Sequence, residues 1–286
     1  MTEKILIVGN GFLGCNIFSS SVAHNIKPIV ASRSEHNFLD VTQKHSIEKI
    51  VFEYKPDFII NCAALTKIDD IEIEPKKAFK INAYGAQNIA QVANKNKIKM
   101  MHISTDSVFD GKKGMYDENS ITNPLNEYAK SKKLGEDLVM ETSDEFIVVR
   151  TNFYGYNNEG RFLFNWILQN FRDNREFVGF DDVFFNPLEI TNLSEMLIEL
   201  LKLDFSGIIH LAANKAISKY EFGLKISEVL GFNSDLIKKG SLMKSKFVAK
   251  RPLNTSLSNK KAKRILKTKF LNIEEWLKMN NNLRNR

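Results

Sequence analysis

Five short apolar runs, each followed by a helical segment, constrain this chain more than any other feature. The runs are Lys4-Ile-Leu-Ile-Val8, Pro28–Ala31, Asp57–Asn61, Lys99–Ile103 and Phe146–Val149. Consecutive apolar positions without alternation read as strands buried on both faces, as in a parallel sheet. Between them, residues 13–24, Ser46–Tyr54, Pro75 to about Asn94 and Asn126–Glu141 read as helices. Ser46 is the expected cap and Lys55-Pro56 the stop of the second, and Pro75 sits in the first turn of the third. Parallel strands need crossover helices, so the expected class is α/β with a doubly wound parallel sheet. After Arg150 the rhythm changes. Residues 161–173, 192–203 and 218–230 look helical, Ile208–Leu211 looks like a further strand, and the tail after Gly231 looks irregular. The expected division is residues 1–150 and a smaller mixed α/β lobe over 151–286, parts of which pack back on the sheet.

The chain has 286 residues, 43% hydrophobic and 26% charged, the balance of a globular protein rather than of a disordered one. No stretch approaches the roughly 20 apolar residues of a membrane span, and Ile5–Gly9 is too short for a signal-peptide core. Cys15 and Cys62 cannot build a disulfide framework or a zinc site, so a reducing cytoplasm is the natural compartment. The formal charge of +7 is uneven: residues 238–286 carry 15 Lys/Arg against Glu274 and Glu275. Lysine dominates and no aromatic stripe interleaves it, so this reads as a solvated surface that attracts phosphates, with neither nucleic acid nor membrane as partner.

Gly9-Asn10-Gly11-Phe12-Leu13-Gly14 fits G-x-G-x-x-G between the first strand and the first helix. Gly9 permits the turn, Gly11 lets backbone approach a pyrophosphate, and Gly14 allows helix to pack closely on strand. The helix N-terminus offers free N–H groups and a positive dipole end. An acid at the end of the second strand would bond the ribose of NAD. Here stand Ala31-Ser32-Arg33-Ser34, and the Ser32 hydroxyl with the Arg33 guanidinium suits a 2′-phosphate. NADP(H) is therefore the favoured cofactor, with NAD(H) possible.

Tyr128 and Lys132 lie four apart on one helix face, and Ser104-Thr105-Asp106 ends the fourth strand, where open α/β sheets place ligands. A phenol is a poor acid/base at neutral pH, so a nearby ammonium is expected to lower its pKa. The Thr105 hydroxyl can polarise a carbonyl, Tyr128 can supply the proton to it, and Lys132 can hold the nicotinamide ribose.

At these residues the chain resembles the extended short-chain dehydrogenase/reductases and, within them, the dTDP-4-dehydrorhamnose reductase group. The segments are Gly9–Gly14, Asn61-Cys-Ala-Ala-Leu-Thr66, Ile81-Asn-Ala-Tyr-Gly85, Ser104–Gly111, Asn126–Glu136, Val149-Arg-Thr151, Asn186-Pro187, Gly207–Ala212, Tyr220-Glu-Phe222 and Arg251-Pro252. The resemblance implies a Rossmann-type domain with a C-terminal substrate lobe and a Thr105–Tyr128–Lys132 catalytic set. It implies Asp40 and Val41 at the adenine, Cys62, Ala63 and Ala64 along the far ribose and pyrophosphate, and Asn82 bracing the site. Thr66, Ile68, Asp106, Ser107 and Phe153 fall where the group contacts its sugar. Ser107 stands where the group usually has Tyr, and Phe153 where it usually has Trp. A pocket stripped of those hydrogen bonds discriminates differently, so the reaction type is expected to survive better than the sugar.

Among the remaining residues, His24, His36 and His45 read as surface, and His102 and His210 as core histidines. No spacing suggests a metal site. Asp69, Asp70, Glu72 and Glu74 read as a solvated turn before Pro75, and Phe109-Asp-Gly111 as a turn. The resulting expectation is an NADPH-dependent reductase of a nucleotide-linked 4-keto-6-deoxy sugar in cell-surface polysaccharide synthesis, monomeric or homodimeric. The alternatives are an NAD-dependent nucleotide-sugar epimerase or dehydratase, and a non-catalytic NADP-binding regulatory subunit.

Overall fold

The computed structural model describes residues 2–157 and 162–284. The first half runs β1 (Lys4–Val8), α1 (Phe12–Ala23), β2 (Lys27–Ala31), α2 (Lys44–Tyr54), β3 (Phe58–Asn61), α3 (Ile68–Ile73), α4 (Pro75–Ala78), α5 (Gly85–Lys95), β4 (Lys99–Ile103), α6 (Glu127–Thr142) and β5 (Ile147–Thr151). The second half adds β6 (Phe153–Tyr154), α7 (Leu163–Arg172), β7 (Phe177–Phe180), β8 (Phe184–Phe185), β9 (Leu188–Glu189), α8 (Ile190–Leu201) and β10 (Gly207–Leu211). It closes with β11 (Ile217–Ser218), α9 (Lys219–Leu230), β12 (Ile237–Gly240), α10 (Lys260–Ile265) and α11 (Ile273–Met279).

Six strands form one parallel sheet in the order β10-β5-β4-β3-β1-β2. The expected doubly wound sheet is thus present, and a strand from the second half completes its edge. The continuous apolar runs have a direct cause, because each strand feeds two cores. Ile5 and Ile7 of β1 pack with Met101, Ile147, Val149 and Ile209 under α1 and α8. Leu6 and Val8 face the other way, onto Ile47 and Ile50 of α2, Ile89 and Ala93 of α5 and Val139 of α6. A third core of Tyr154, Phe164, Phe222, Leu277 and Trp276 fills the second lobe. That lobe is built on three short strand pairs, β6 with β9, β7 with β12 and β8 with β11.

Several expectations need correction. The helix placed from Pro75 to about Asn94 is α4 and α5 joined by a π-helical turn, Phe79–Tyr84. Ser46 does not cap α2. Its hydroxyl accepts the Asp40 N–H at 3.1 Å, and the helix begins earlier, after Gln43. The acidic run Asp69–Glu74 is not a free turn, because most of it forms α3. Asp69 pairs with Arg251 at 2.9 Å and accepts the Ala249 N–H, while Glu72 accepts the Glu127 N–H. The tail is more regular than expected, holding β12, α10 and α11. Residue 161, at the start of the helix expected over 161–173, and residues 285–286 of the basic tail lie outside the described residues. His102 and His210 are fully buried, as expected, and His24 pairs with Glu195 at the surface.

Two glycines fix how the layers meet. Gly9 adopts φ +106°, a left-handed conformation that side chains rarely tolerate. A Cβ on Gly14 would lie 2.1 Å from the Gly9 carbonyl oxygen, so α1 rests on β1 only because that position is bare. Gly14→Ala must therefore push helix from strand. We expect it to cost about 1–3 kcal/mol of stability, the usual penalty of overpacking, seen as a lowered thermal midpoint.

Candidate active site

The site is assembled at the carboxyl edge of the sheet, where the chain order reverses between β1 and β3. There Gly9 approaches the next strand closely: a Cβ on it would meet the Ala63 N at 3.0 Å, whereas one on Gly11 would meet nothing within 4 Å. The glycine turn thus seals on one side and opens on the other. Among the described residues no side chain caps α1 at Gly11, and its first turn holds no acid. Its leading N–H groups face a cleft of about 470 Å³ lined by Gly9, Asn10, Gly11, Ser32, Arg33, Ser34, Asp40, Val41, Cys62, Ala63 and Ala64. This is an anion seat that continues into a trough. Phe12 lies beside it, stacked on Phe162 with ring centroids 5.1 Å apart, and Leu13 is buried in the core.

The residues at the end of β2 are exposed but ordered. The Asn10 side-chain amide donates to Ser34 at 3.0 Å and to Glu35 at 2.9 Å. Glu35 was missed from the sequence because it falls beyond the strand end, and only the turn brings it back to Asn10. Asp40 accepts both the N–H and the hydroxyl of Thr42. Burial raises its carboxyl, but those bonds and the charges of Arg33 and Lys80 outweigh burial and hold it below the usual value.

Asn82, in the π-helical turn, is completely buried. It accepts the Leu65 N–H at 2.8 Å and donates to the Leu65 carbonyl and the Ser131 hydroxyl. Ser131 in turn donates to the Tyr128 carbonyl at 2.7 Å. Asn82 therefore ties the cofactor wall to the helix that carries Tyr128, and its own polar atoms are all engaged with protein.

Tyr128, Thr105 and Asp106 converge at the end of β4. The Tyr128 hydroxyl lies beside Thr105. Thr105 accepts the Ser107 N–H at 3.2 Å and donates to Asp106 at 3.1 Å. Asp106 also accepts from Ser107, Asn152 and Thr255. With four side-chain donors on two oxygens, Asp106 works as the anchor of Thr105. Asn152 and Thr255, from opposite ends of the second half, carried no signal in the sequence. Burial pushes the Tyr128 phenol up to about 12, opposed by Thr105 and reinforced by the Asp106 charge.

The expected ammonium beside that phenol is turned elsewhere. Lys132 is buried, with Nζ 2.6 Å from the Ile103 carbonyl and 3.3 Å from His102 Nε2. Those two buried partners are the reason for the inward pose. Burial pushes the amine down to about 8, with Glu136 and Cys62 opposing. The Cys62 thiol, raised to about 12 by burial, is no nucleophile.

Of the residues expected near a sugar, Thr66 is exposed, while Ile68, Ser107 and Phe153 are half-buried. Lys219, not singled out as a site residue, lies within range of the charges of Asp106 and Arg251. Burial and Arg251 lower the Lys219 ammonium while Asp106 opposes, so all three charges face one another. Behind the site, Glu136 holds Arg150 through two oxygens at 3.0 and 2.7 Å, both side chains being buried.

Comparison with known proteins decides the relationship. Residues 3–282 match the family described as RmlD substrate binding domain. The chain belongs to that family. It is 30% identical over 270 residues to dTDP-4-dehydrorhamnose reductase of Aggregatibacter actinomycetemcomitans, covering 89% of this chain and 90% of that one. It is 31% identical over 224 residues, 77% of this chain and 75% of the other, to a probable low-salt glycan biosynthesis reductase of Haloferax volcanii. Among solved structures it resembles dTDP-4-dehydrorhamnose reductase of Bacillus anthracis in complex with NADP, with a TM-score of 0.87, 27% identity and 100% and 98% coverage. UDP-glucose 4-epimerase of Thermus thermophilus, at 15% identity and a TM-score of 0.82 over 99% of each chain, shares the fold alone. Among the described residues, no helix is long and apolar enough to cross a membrane.

Removing Arg150 strands the Glu136 carboxylate in the interior. Arg150→Leu is expected to lose about 3–5 kcal/mol on urea denaturation, the range for breaking a buried pair from one side.

Proposed function

We propose that the chain is an NADPH-dependent reductase of the keto group of a nucleotide-linked 4-keto-6-deoxy sugar, of the dTDP-4-dehydrorhamnose reductase kind, serving polysaccharide synthesis. The observation that carries it is the convergence of Tyr128, Thr105 and Asp106 at the end of β4, on the same sheet edge as the cleft that opens from the uncapped helix α1. The reading is supported by relatives named as dTDP-4-dehydrorhamnose and glycan biosynthesis reductases and by the neighbour solved with NADP.

The bare Gly11, the free N–H groups of α1 and the Ser32–Arg33 pair suit a pyrophosphate and a 2′-phosphate, so these residues would hold the cofactor. Bound there, NADPH supplies hydride to the keto carbon. Thr105 orients the keto oxygen, and Tyr128 gives the developing alkoxide its proton through a short, preset path. Asp106 keeps Thr105 in place, and Asn82 keeps the tyrosine helix against the cofactor wall. Lys219 and Arg251 offer positive charge to the diphosphate of the substrate, with Ser107 and Phe153 touching the sugar.

NADPH oxidation followed at 340 nm against dTDP-, UDP-, GDP- and CDP-linked 4-keto sugars tests the assignment. Turnover with one of them is expected; stoichiometric NAD retained through purification with no turnover would point instead to an epimerase or dehydratase. Tyr128→Phe removes the donor and little packing, so kcat is expected to fall by at least about 10²-fold with NADPH affinity nearly unchanged. Wild-type activity in that variant would reject the mechanism. Arg33→Ala is expected to narrow the ratio of kcat/KM for NADPH over NADH, and an unchanged ratio would discard Arg33 as the phosphate partner.

A further inference from the structure

Three side chains form a line behind the cleft, and their hydrogen-bond directions can be assigned in order. Asn61, at the end of β3, accepts the Ala63 backbone N–H on Oδ1 at 3.0 Å. A backbone N–H can only donate, so the amide cannot be flipped. Its Nδ2 therefore donates to Nδ1 of His102, 3.0 Å away. Nδ1 is then an acceptor, and the proton of the neutral imidazole sits on Nε2. His102 is fully buried, and burial together with Lys132 holds it well below its ordinary pKa, which keeps the ring neutral. Nε2–H points at Lys132 Nζ, 3.3 Å off. An ammonium has no lone pair to receive it. A neutral amine does, and it can still donate to the Ile103 carbonyl at 2.6 Å.

We propose that Asn61 and His102 favour the neutral amine form of Lys132 in its inward pose, and that Lys132 takes up a proton from solvent when it turns out to a bound dinucleotide. His102 is on this account a positioning residue that sets the charge of Lys132. The second half of the statement rests on the reading of Lys132 as a cofactor-facing residue; the first half does not.

The other charged and titratable groups around Lys132 do not remove the conflict. Glu136, one turn along α6, faces it but is engaged by Arg150 of β5, which in turn meets His210 of β10. Cys62, after β3, stays a thiol. Tyr128, one turn back on α6, stays a phenol and places no charge there.

The decisive measurement is the titration of the Lys132 side-chain carbons by NMR in the cofactor-free protein, with Lys132→Met assigning the signal. A midpoint near or below 8 is expected. In His102→Gln the side chain can turn its carbonyl to Nζ, and the midpoint should rise, burial still holding it below that of an ordinary lysine. An ordinary midpoint in the wild type, or the same depressed midpoint in His102→Gln, overturns the assignment. Where His102→Gln fails to fold, the wild-type midpoint alone decides this part.

The second part is read by titration calorimetry of NADPH at pH 8.5 in two buffers of different ionisation enthalpy. The 2′-phosphate, with a second pKa of about 6, is silent there. An amine passing from a pKa near 8 to the usual value of about 10.4 takes up about 0.7 proton per site at that pH. No uptake on binding overturns the outward turn. Absence of NADPH binding would instead reject the proposed function, leaving the NMR result to judge the His102–Lys132 pair by itself.

Discussion

All six strands of the sheet run the same way, and that single constraint places everything else. Parallel strands deliver every carboxyl end to one edge, and the residues after β1, β3 and β4 become neighbours although they are far apart in sequence. The edge is polar because the sheet behind it is not: both faces are covered by helices, so the apolar runs stop where the loops begin. Close approach then does the rest. A hydrogen in place of a side chain at Gly14 lets α1 sit on the Gly9 carbonyl, and the same device at Gly135 lets α6 sit on the Asn82 carbonyl, where a Cβ would stand 2.4 Å away. The phosphate seat and the tyrosine helix are both positioned by bare glycines packed against backbone carbonyls.

Behind the reacting groups lies a layer of buried polar side chains with few spare hydrogen-bonding atoms. Asn61, Asn82, Asp106, Glu136 and Arg150 each have partners assigned at good distances. Such a layer is costly to desolvate and adds little net stability compared with hydrocarbon. What it gives is direction: each amide and carboxylate can be satisfied in one arrangement only, and that arrangement aims Thr105, Tyr128 and Lys132.

The strand–helix alternation and the glycine turn were legible in the sequence because they are local: a run of apolar residues, a spacing, a cap. So was the meeting of Gly9, Asn10 and Gly11 with Ser32, Arg33 and Ala63 in one cleft, since it follows from the sheet order. The π-helical turn was not legible, because residues 79–84 have ordinary helix composition and the extra backbone residue is imposed by Asn82 bonding Leu65. Nor was the inward pose of Lys132. Helical spacing puts Lys132 on the face of Tyr128, but the Ile103 carbonyl and the His102 ring come from another strand and offer it a buried alternative. Asp69 and Glu72 looked like solvated charge for the same reason: Arg251 and the Glu127 N–H, their partners, are 182 and 55 positions away.

The state of the phenol in the cofactor-free protein fits the reductase reading on chemical grounds. An enzyme that begins by oxidising an alcohol must first take its proton, which asks for a phenolate at rest, whereas here burial keeps the phenol protonated and Lys132 is turned away. A reductase asks the opposite. The phenol must arrive protonated and surrender its proton to an oxygen that has just received hydride. Alcohols are far weaker acids than phenols, so even a phenol raised to about 12 gives its proton to the nascent alkoxide downhill. Burial and the Asp106 charge, which would handicap a base, keep the donor loaded. Asp106, whose charge helps lift the phenol, also anchors Thr105, so one carboxylate bears on both groups.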